Sequence, residues 1–110
     1  MQKYNILITD LALEDIEEIA AFYADLVDYE SAERFRADLQ ATLKSLETLP
    51  ERHAYWDEES KLRRANLKDH KVSIIYTVDN GVYEVIAIAT FHNLENPKKH
   101  NEIIGDRVRV

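Results

Sequence analysis

The 110-residue chain is of single-domain length, and its 45% apolar and 32% charged residues suit one buried core beneath a hydrated surface. A formal net charge of −7 argues against a broad nucleic-acid-binding surface, and the absence of cysteine excludes disulfides, thiolate catalysis and thiolate zinc sites. The start, Met1-Gln2-Lys3-Tyr4-Asn5-Ile6, has no apolar stretch of signal-peptide length and no membrane-spanning run follows, so a cytoplasmic protein without a membrane partner is expected.

The charge is unevenly spread. Residues 1–60 carry five Lys/Arg against fifteen Asp/Glu, a net of −10, whereas residues 61–110 carry nine against six, a net of +3. Any basic contact surface must therefore come from the second part.

Along the chain, Tyr4 to Thr9 is short, β-branched and aromatic, and reads as a strand with Tyr4, Ile6 and Ile8 on one face. Thr9 or Asp10 is placed to cap a helix in which Leu13, Ile16, Ile19, Ala20, Tyr23 and Leu26 recur at helical spacing. Glu14, Asp15, Glu17, Glu18 and Asp25 occupy its opposite side, most simply as a solvated face. A second helix is expected from Tyr29 to Leu49, capped by Asp28 and stopped by Pro50, with Ala32, Phe35, Leu39, Leu43, Leu46 and Leu49 as its apolar stripe. The short link at Val27-Asp28 folds the two into an antiparallel hairpin.

Residues Glu51–Ser60 read as a loop carrying Tyr55 and Trp56, which either cover a core edge or meet a partner. Three strand-like stretches follow, Leu62–Leu67, Val72–Val78 and Val82–Phe91, with Asp79-Asn80-Gly81 between the last two. A two-residue Asn80-Gly81 turn pairs Asp79 with Val82 and Tyr76 with Val85. Tyr76, Ile74 and Val72 then face the helices with Val85, Ala87 and Ala89. Arg64, Lys71 and His92 fall on the uncovered face unless a bulge intervenes. The tail from Pro97 to Val110 is a short helix, or else Arg107–Val110 adds an edge strand. The expectation is one α+β domain over residues 1–110, of order β-α-α-β-β-β, with the helical hairpin packed on one face of a mainly antiparallel sheet.

Over about residues 4–98 the sequence resembles the RelE/ParE toxin superfamily of type II toxin–antitoxin systems. The resemblance lies in Ala12-x-x-Asp15-Ile16-x-x-Ile19-x-x-x-Tyr23 and in Ala32-x-x-Phe35-x-x-x-Leu39-x-x-x-Leu43-x-x-Leu46-x-x-x-Pro50. It continues in Arg63-Arg64-x-x-Leu67, Ile74-Ile75-Tyr76-x-Val78 and Val85-x-x-Ile88-x-x-x-His92-x-x-x-x-Pro97. It implies a growth-inhibiting toxin, of the kind associated with plasmid stabilization, neutralised by a cognate antitoxin that wraps its surface. RelE-type members cut mRNA on the ribosome, and ParE-type members poison DNA gyrase. Homo-oligomerisation is left open.

RNA cleavage through the 2′-hydroxyl needs a base, an acid for the leaving oxygen and cations for the phosphate. Arg64 suits bidentate phosphate binding, or else pairs on the surface with Glu58 or Glu59. His92 suits a general acid, or else is a strand-end histidine bonded to backbone. Lys71 and His70 supply further charge, or are ordinary exposed residues. Tyr76 lies on the core face and reads as packing. No convincing base accompanies them. Glu84 is eight strand residues from His92, on the order of 25 Å, and Asp69 adjoins Lys71. Leu94 stands where relatives often place an arginine. The four histidines show no metal-ligand spacing, and no phosphate-binding glycine loop exists, so neither metal nor cofactor is expected.

The reading at this level is a ParE-like toxin subunit without catalytic machinery of its own, directed at gyrase or attenuated in toxicity. The alternatives are a ribosome-dependent mRNA endonuclease using Arg64, Lys71 and His92, and a non-toxic binding module of the same fold.

Overall fold

Thr9 and Asp28 start the two long helices as the sequence predicts: the Thr9 Oγ1 accepts from the Ala12 N–H at 3.2 Å, and the Asp28 Oδ1 from the Ser31 N–H at 2.7 Å. The computed structural model describes residues 2–108. In chain order these form β1 (Asn5–Ile8), α1 (Asp10–Leu26), α2 (Tyr29–Ser45), a 3-10 turn (Pro50–Arg52), β2 (Tyr55–Asp57), β3 (Leu62–Asn66), β4 (Val72–Asp79), β5 (Glu84–His92) and α3 (Pro97–Val108). The sheet order is β1-β5-β4-β3-β2, antiparallel except for the parallel β1–β5 pair. The expected α+β architecture is present, with one additional short strand, and the tail takes its helical alternative.

The principal core lies between the α1–α2 hairpin and one sheet face. Ile16, Ile19, Phe35, Leu39 and Leu46 pack there on Ala65, Leu67, Val72, Ile74, Tyr76, Val85 and Ala87. Each fully buried Phe, Leu or Ile contributes about 1.5–3 kcal/mol. Tyr76 is in this core as expected, and its hydroxyl donates to the Pro50 carbonyl at 2.6 Å.

Three expectations are corrected. The second helix ends at Ser45, not Leu49, because the chain tightens into i→i+3 bonds (Leu46 N–H to Leu43, Glu47 N–H to Lys44). Leu49 then takes a left-handed φ of 51° ahead of Pro50, whose ring disfavours a helical residue before it. Tyr55 and Trp56 belong to an edge strand rather than a loop. Trp56 packs at the margin of a second cluster, and the Arg63 guanidinium lies 4.0 Å over the Tyr55 ring.

The β4–β5 turn is the third. It is a four-residue loop, Asn80 to Tyr83, so Asp79 opposes Glu84 and Tyr76 opposes Ala87. Gly81 has no positive φ, and it is Tyr83 that does, at 54°. Side chains explain the difference. The Asp79 Oδ1 accepts from the Gly81 N–H at 2.9 Å, while Asn80 accepts from the Tyr4 hydroxyl at 2.6 Å and donates to Glu51 at 3.1 Å. Asn80 is thereby held by long-range contacts instead of forming a tight turn.

The slip is two residues, an even number, so Val85 and Ala87 keep their inward face. A bulge then intervenes. Ile75 opposes Ala89 while Tyr76 opposes Ala87, leaving Ile88 as the extra residue on β5. Beyond it the faces exchange. Ala89 and Phe91 turn to the second face with Ile75, and Thr90 and His92 turn to the hairpin side opposite Ile74 and Val72.

That second face is not bare. α3 lies over it, and Ile104 (1% exposed) closes a cluster with Leu62, Ile75, Ala89 and Phe91. The tail is helical as far as Val108, so the edge-strand alternative fails over Arg107–Val108; Arg109 and Val110 lie outside the described residues.

Candidate functional site

Arg64 stands on β3 opposite Ile75 and therefore on the α3 side of the sheet. Its Nε donates to Ser73 Oγ at 2.9 Å and Asn66 Oδ1 at 3.2 Å, and its Nη2 to Asn93 Oδ1 at 3.0 Å. Ser73 in turn donates toward Asn66 and Asn93, each at 2.6 Å. The expected surface pairing with Glu58 or Glu59 is absent from the described ion pairs. Instead a ring of neutral acceptors fixes the guanidinium, leaving its remaining N–H groups as donors.

His92 is elsewhere. It stands opposite Val72 on the hairpin side, its ring 6.1 Å from that of Phe22, and its Nδ1 accepts from the Leu94 N–H at 3.3 Å. The local backbone contact of a strand-end histidine is therefore present. Lys71 is exposed just before β4, where its carbonyl accepts from the Asn93 N–H at 2.7 Å. The expectation that Arg64, Lys71 and His92 share one uncovered face is corrected. The Ile88 bulge reverses the side on which His92 emerges, and α3 covers part of the face that holds Arg64.

The residues with the most constrained chemistry are others. Asp38, on α2 and only 9% exposed, accepts from the Asp69 N–H at 2.9 Å, the Lys68 N–H at 3.3 Å and His70 Nδ1 at 2.7 Å. Burial opposes its charge, yet those three donors outweigh burial and hold the carboxyl below the usual range. His70, read from the sequence as a further charge or an ordinary exposed residue, is instead fixed against the rings of Tyr23 and Phe35, at 5.3 and 5.8 Å.

Asp15 and Arg107 form the second such pair. They meet at 2.6 and 2.9 Å, while Asp15 also accepts from the Thr90 N–H at 3.0 Å and Arg107 donates to the Ile88 carbonyl at 2.9 Å. Both bulge groups are thus occupied. Asp15 does not belong to the solvated face assigned to it, and no periodicity in α1 distinguishes it from Glu14 or Glu18. On the α3 side, His100 stacks on Phe91 with centroids 4.1 Å apart, and burial pushes its pKa down. Among the described residues no group of three or more His, Asp or Glu is arranged to hold a metal ion.

A third feature is an apolar groove of 460 Å³ on the hairpin side, lined by Glu18, Ile19, Phe22, His92, Leu94 and Glu95. Phe22 is 50% exposed and Leu94 75%.

Comparison with known proteins now bears on these surfaces. No curated protein matches the chain. Among solved structures, the chromosomal ParDE toxin–antitoxin system of P. aeruginosa superposes with a TM-score of 0.71 at 19% identity, covering 82% of this chain and 96% of that one. A free-state double mutant of the E. coli toxin RelE gives 0.67 at 15% identity, covering 98% and 100%. The RelBE2 toxin–antitoxin complex of Mycobacterium tuberculosis gives 0.61 at 14%, covering 86% and 97%. At these identities the three establish a shared fold. The profile of the family described as the ParE toxin of the type II toxin–antitoxin system parDE matches residues 6–97, most of the chain, and the chain belongs to that family.

Proposed function

We propose that this ParE-family toxin acts by binding rather than by cleaving RNA, that DNA gyrase is its target, and that a cognate antitoxin neutralises it. One observation carries the preference for binding. Arg64 and His92, the cation and the acid that a phosphodiester cleavage would need together, emerge on opposite faces of the sheet. General acid catalysis requires hydrogen-bond reach of the leaving oxygen, roughly 2.6–3.2 Å, and a single phosphate cannot meet both residues across a sheet. Membership in the ParE family supports the gyrase assignment. The superposition on a ParDE system supports an antitoxin partner.

The test is expression of the chain in bacteria, with and without the adjacent short reading frame. Growth should stop only when the chain is expressed alone. Supercoiling by purified gyrase should fall on adding the protein, while cellular transcripts stay intact. Neither Arg64→Ala nor His92→Ala should be needed to protect transcripts. Transcript cleavage that disappears in Arg64→Ala would restore the endonuclease reading, and unimpaired growth in both strains would remove the toxin reading altogether.

A further inference from the structure

We infer that the free edge of β1 is a self-association surface, and that its occupant is β1 of a second copy of this chain, paired antiparallel about Leu7. The surface is one that the gyrase reading does not use, so neither stands on the other.

The sheet order leaves β1 and β2 as the two edges. An edge strand presents unpaired N–H and C=O groups to any strand that fits, and folded proteins blunt it with charge, proline, bulges or shortness. β2 is blunted. It has three residues, ends in Asp57, and its register on β3 is broken between Tyr55 and Asp57. β1 is not. Asn5-Ile6-Leu7-Ile8 contains no charge and no proline, and its register on β5 is unbroken.

The backbone fixes which atoms are on offer. The Asn5 and Thr9 N–H groups donate to the carbonyls of Tyr83 and Ala87, so alternation turns the N–H and C=O groups of Ile6 and Ile8 outward. The open edge is bounded at both ends. The Tyr4 N–H is taken by the Glu47 carbonyl at 2.8 Å, and Thr9 caps α1. Leu7 and Ile8 expose 44% and 37% of their surface, and Leu11, in the first turn of α1, exposes 48%.

Such an edge matches itself. Its two outward residues are disposed symmetrically about Leu7. An antiparallel second copy therefore sets Ile6 against Ile8 of that copy, and the reverse, with hydrogen bonds exchanged at both pairs. Leu7 meets its own equivalent as a non-hydrogen-bonded pair, in which the side chains approach more closely. Charge agrees with this register. It carries Lys3 toward Asp10 of the second copy, and neither residue appears in the described ion pairs. The arrangement also closes on itself. Pairing of β1 with β2 would instead propagate into a fibre, which the irregular, charged β2 edge opposes.

The experiment is sedimentation velocity on the purified chain from about 5 to 500 μM, because so small an interface gives a weak dimer with a Kd on the order of 100 μM. Leu7→Lys should weaken the dimer at least tenfold. Lys3→Glu should weaken it, and Lys3→Glu/Asp10→Lys should restore it. The two positions stand roughly 20 Å apart within one chain, so rescue operates only between copies. At about 500 μM the Ile6 and Ile8 amides should exchange with solvent about threefold more slowly than in dilute solution, by mass action. The Asn5 amide, already bonded to β5, should not change. The chain has no cysteine, so Leu7→Cys reports the pairing by itself. A non-hydrogen-bonded pair sets Cα atoms about 4.5 Å apart, within disulfide range. Oxidation should therefore link Leu7→Cys into a covalent dimer while Leu94→Cys, 75% exposed on the β5–α3 link, stays monomeric. Unchanged thermal unfolding will show that each variant folds, and the cysteine pair decides if Leu7→Lys does not. A parent that is monomeric at every concentration overturns the inference. So does a dimer indifferent to Leu7→Lys, which would lie on another surface. A monomeric parent whose binding to the protein of the adjacent reading frame is weakened by Leu7→Lys would assign the edge to that protein, and overturns it too.

Discussion

A carboxylate removed from water must be met by donors or it takes up a proton, and Asp38 is met by three. Two come from the backbone of the β3–β4 loop and one from His70, so a single residue of α2 fastens that loop to the helix. Asp38→Asn presents amide hydrogens to groups that are themselves donors, and should cost about 2–3 kcal/mol in urea unfolding at neutral pH. Because the folded carboxyl lies below its ordinary value of 3.8, its stabilisation is complete above that pH and is lost as pH falls further. His53 and His100 act earlier. Burial lowers both from 6.5, so below that pH the unfolded chain binds protons that the folded chain refuses, and stability declines. Unfolding followed from pH 7 to pH 3 should show two successive losses, the first removed by replacing both histidines with Gln. A flat profile between pH 6.5 and 5 would contradict this assignment. None of it was visible in the sequence, where Asp38 is one polar position of α2 among several and His70 one loop residue. Partners 32 positions apart leave no local pattern.

At the scale of elements, local rules were informative where structure is local. The N-caps at Thr9 and Asp28, the inward set on β4 and most of both helix stripes follow from spacing and capping chemistry alone, whereas Leu13, Leu26 and Leu49 of those stripes are exposed. The face reversal on β5 does not, because Val85-Ile86-Ala87-Ile88-Ala89 is apolar at every position and contains no alternation to fix a side. The bulge is held by atoms from distant elements, Asp15 of α1 and Arg107 of α3, and their side chains are only 16% and 13% exposed. Arg107→Met leaves a buried carboxylate without its cation and should cost about 3 kcal/mol. It should also speed hydrogen exchange across α3 and at the Thr90 amide. Asp15→Asn combined with Arg107→Met should recover part of the loss, since Asn can still accept from Thr90 and no unpaired charge remains. A loss below about 0.5 kcal/mol in the single variant would mean that the pair is ornamental.

For the whole molecule, the consequential element is the one least expected from the sheet pattern. The family match ends at residue 97, where α3 begins, yet α3 closes an independent apolar cluster on the second sheet face. The candidate Arg64 surface is bordered by it, since His100 of α3 stacks on Phe91 and Asn93 bonds Arg64. Truncation after Asn96 would leave the hairpin core of Ile16, Phe35, Leu39 and Tyr76 in place while uncovering Leu62, Ile75, Ala89 and Phe91. Loss of Ile104 burial alone removes about 2 kcal/mol. The truncated chain should keep the far-ultraviolet signature of the two long helices, bind a fluorescent apolar dye strongly, and self-associate through the exposed strands. If it instead stays monomeric and dye-silent with unchanged melting, α3 contributes no cover, and the second sheet face would return to consideration as the working surface.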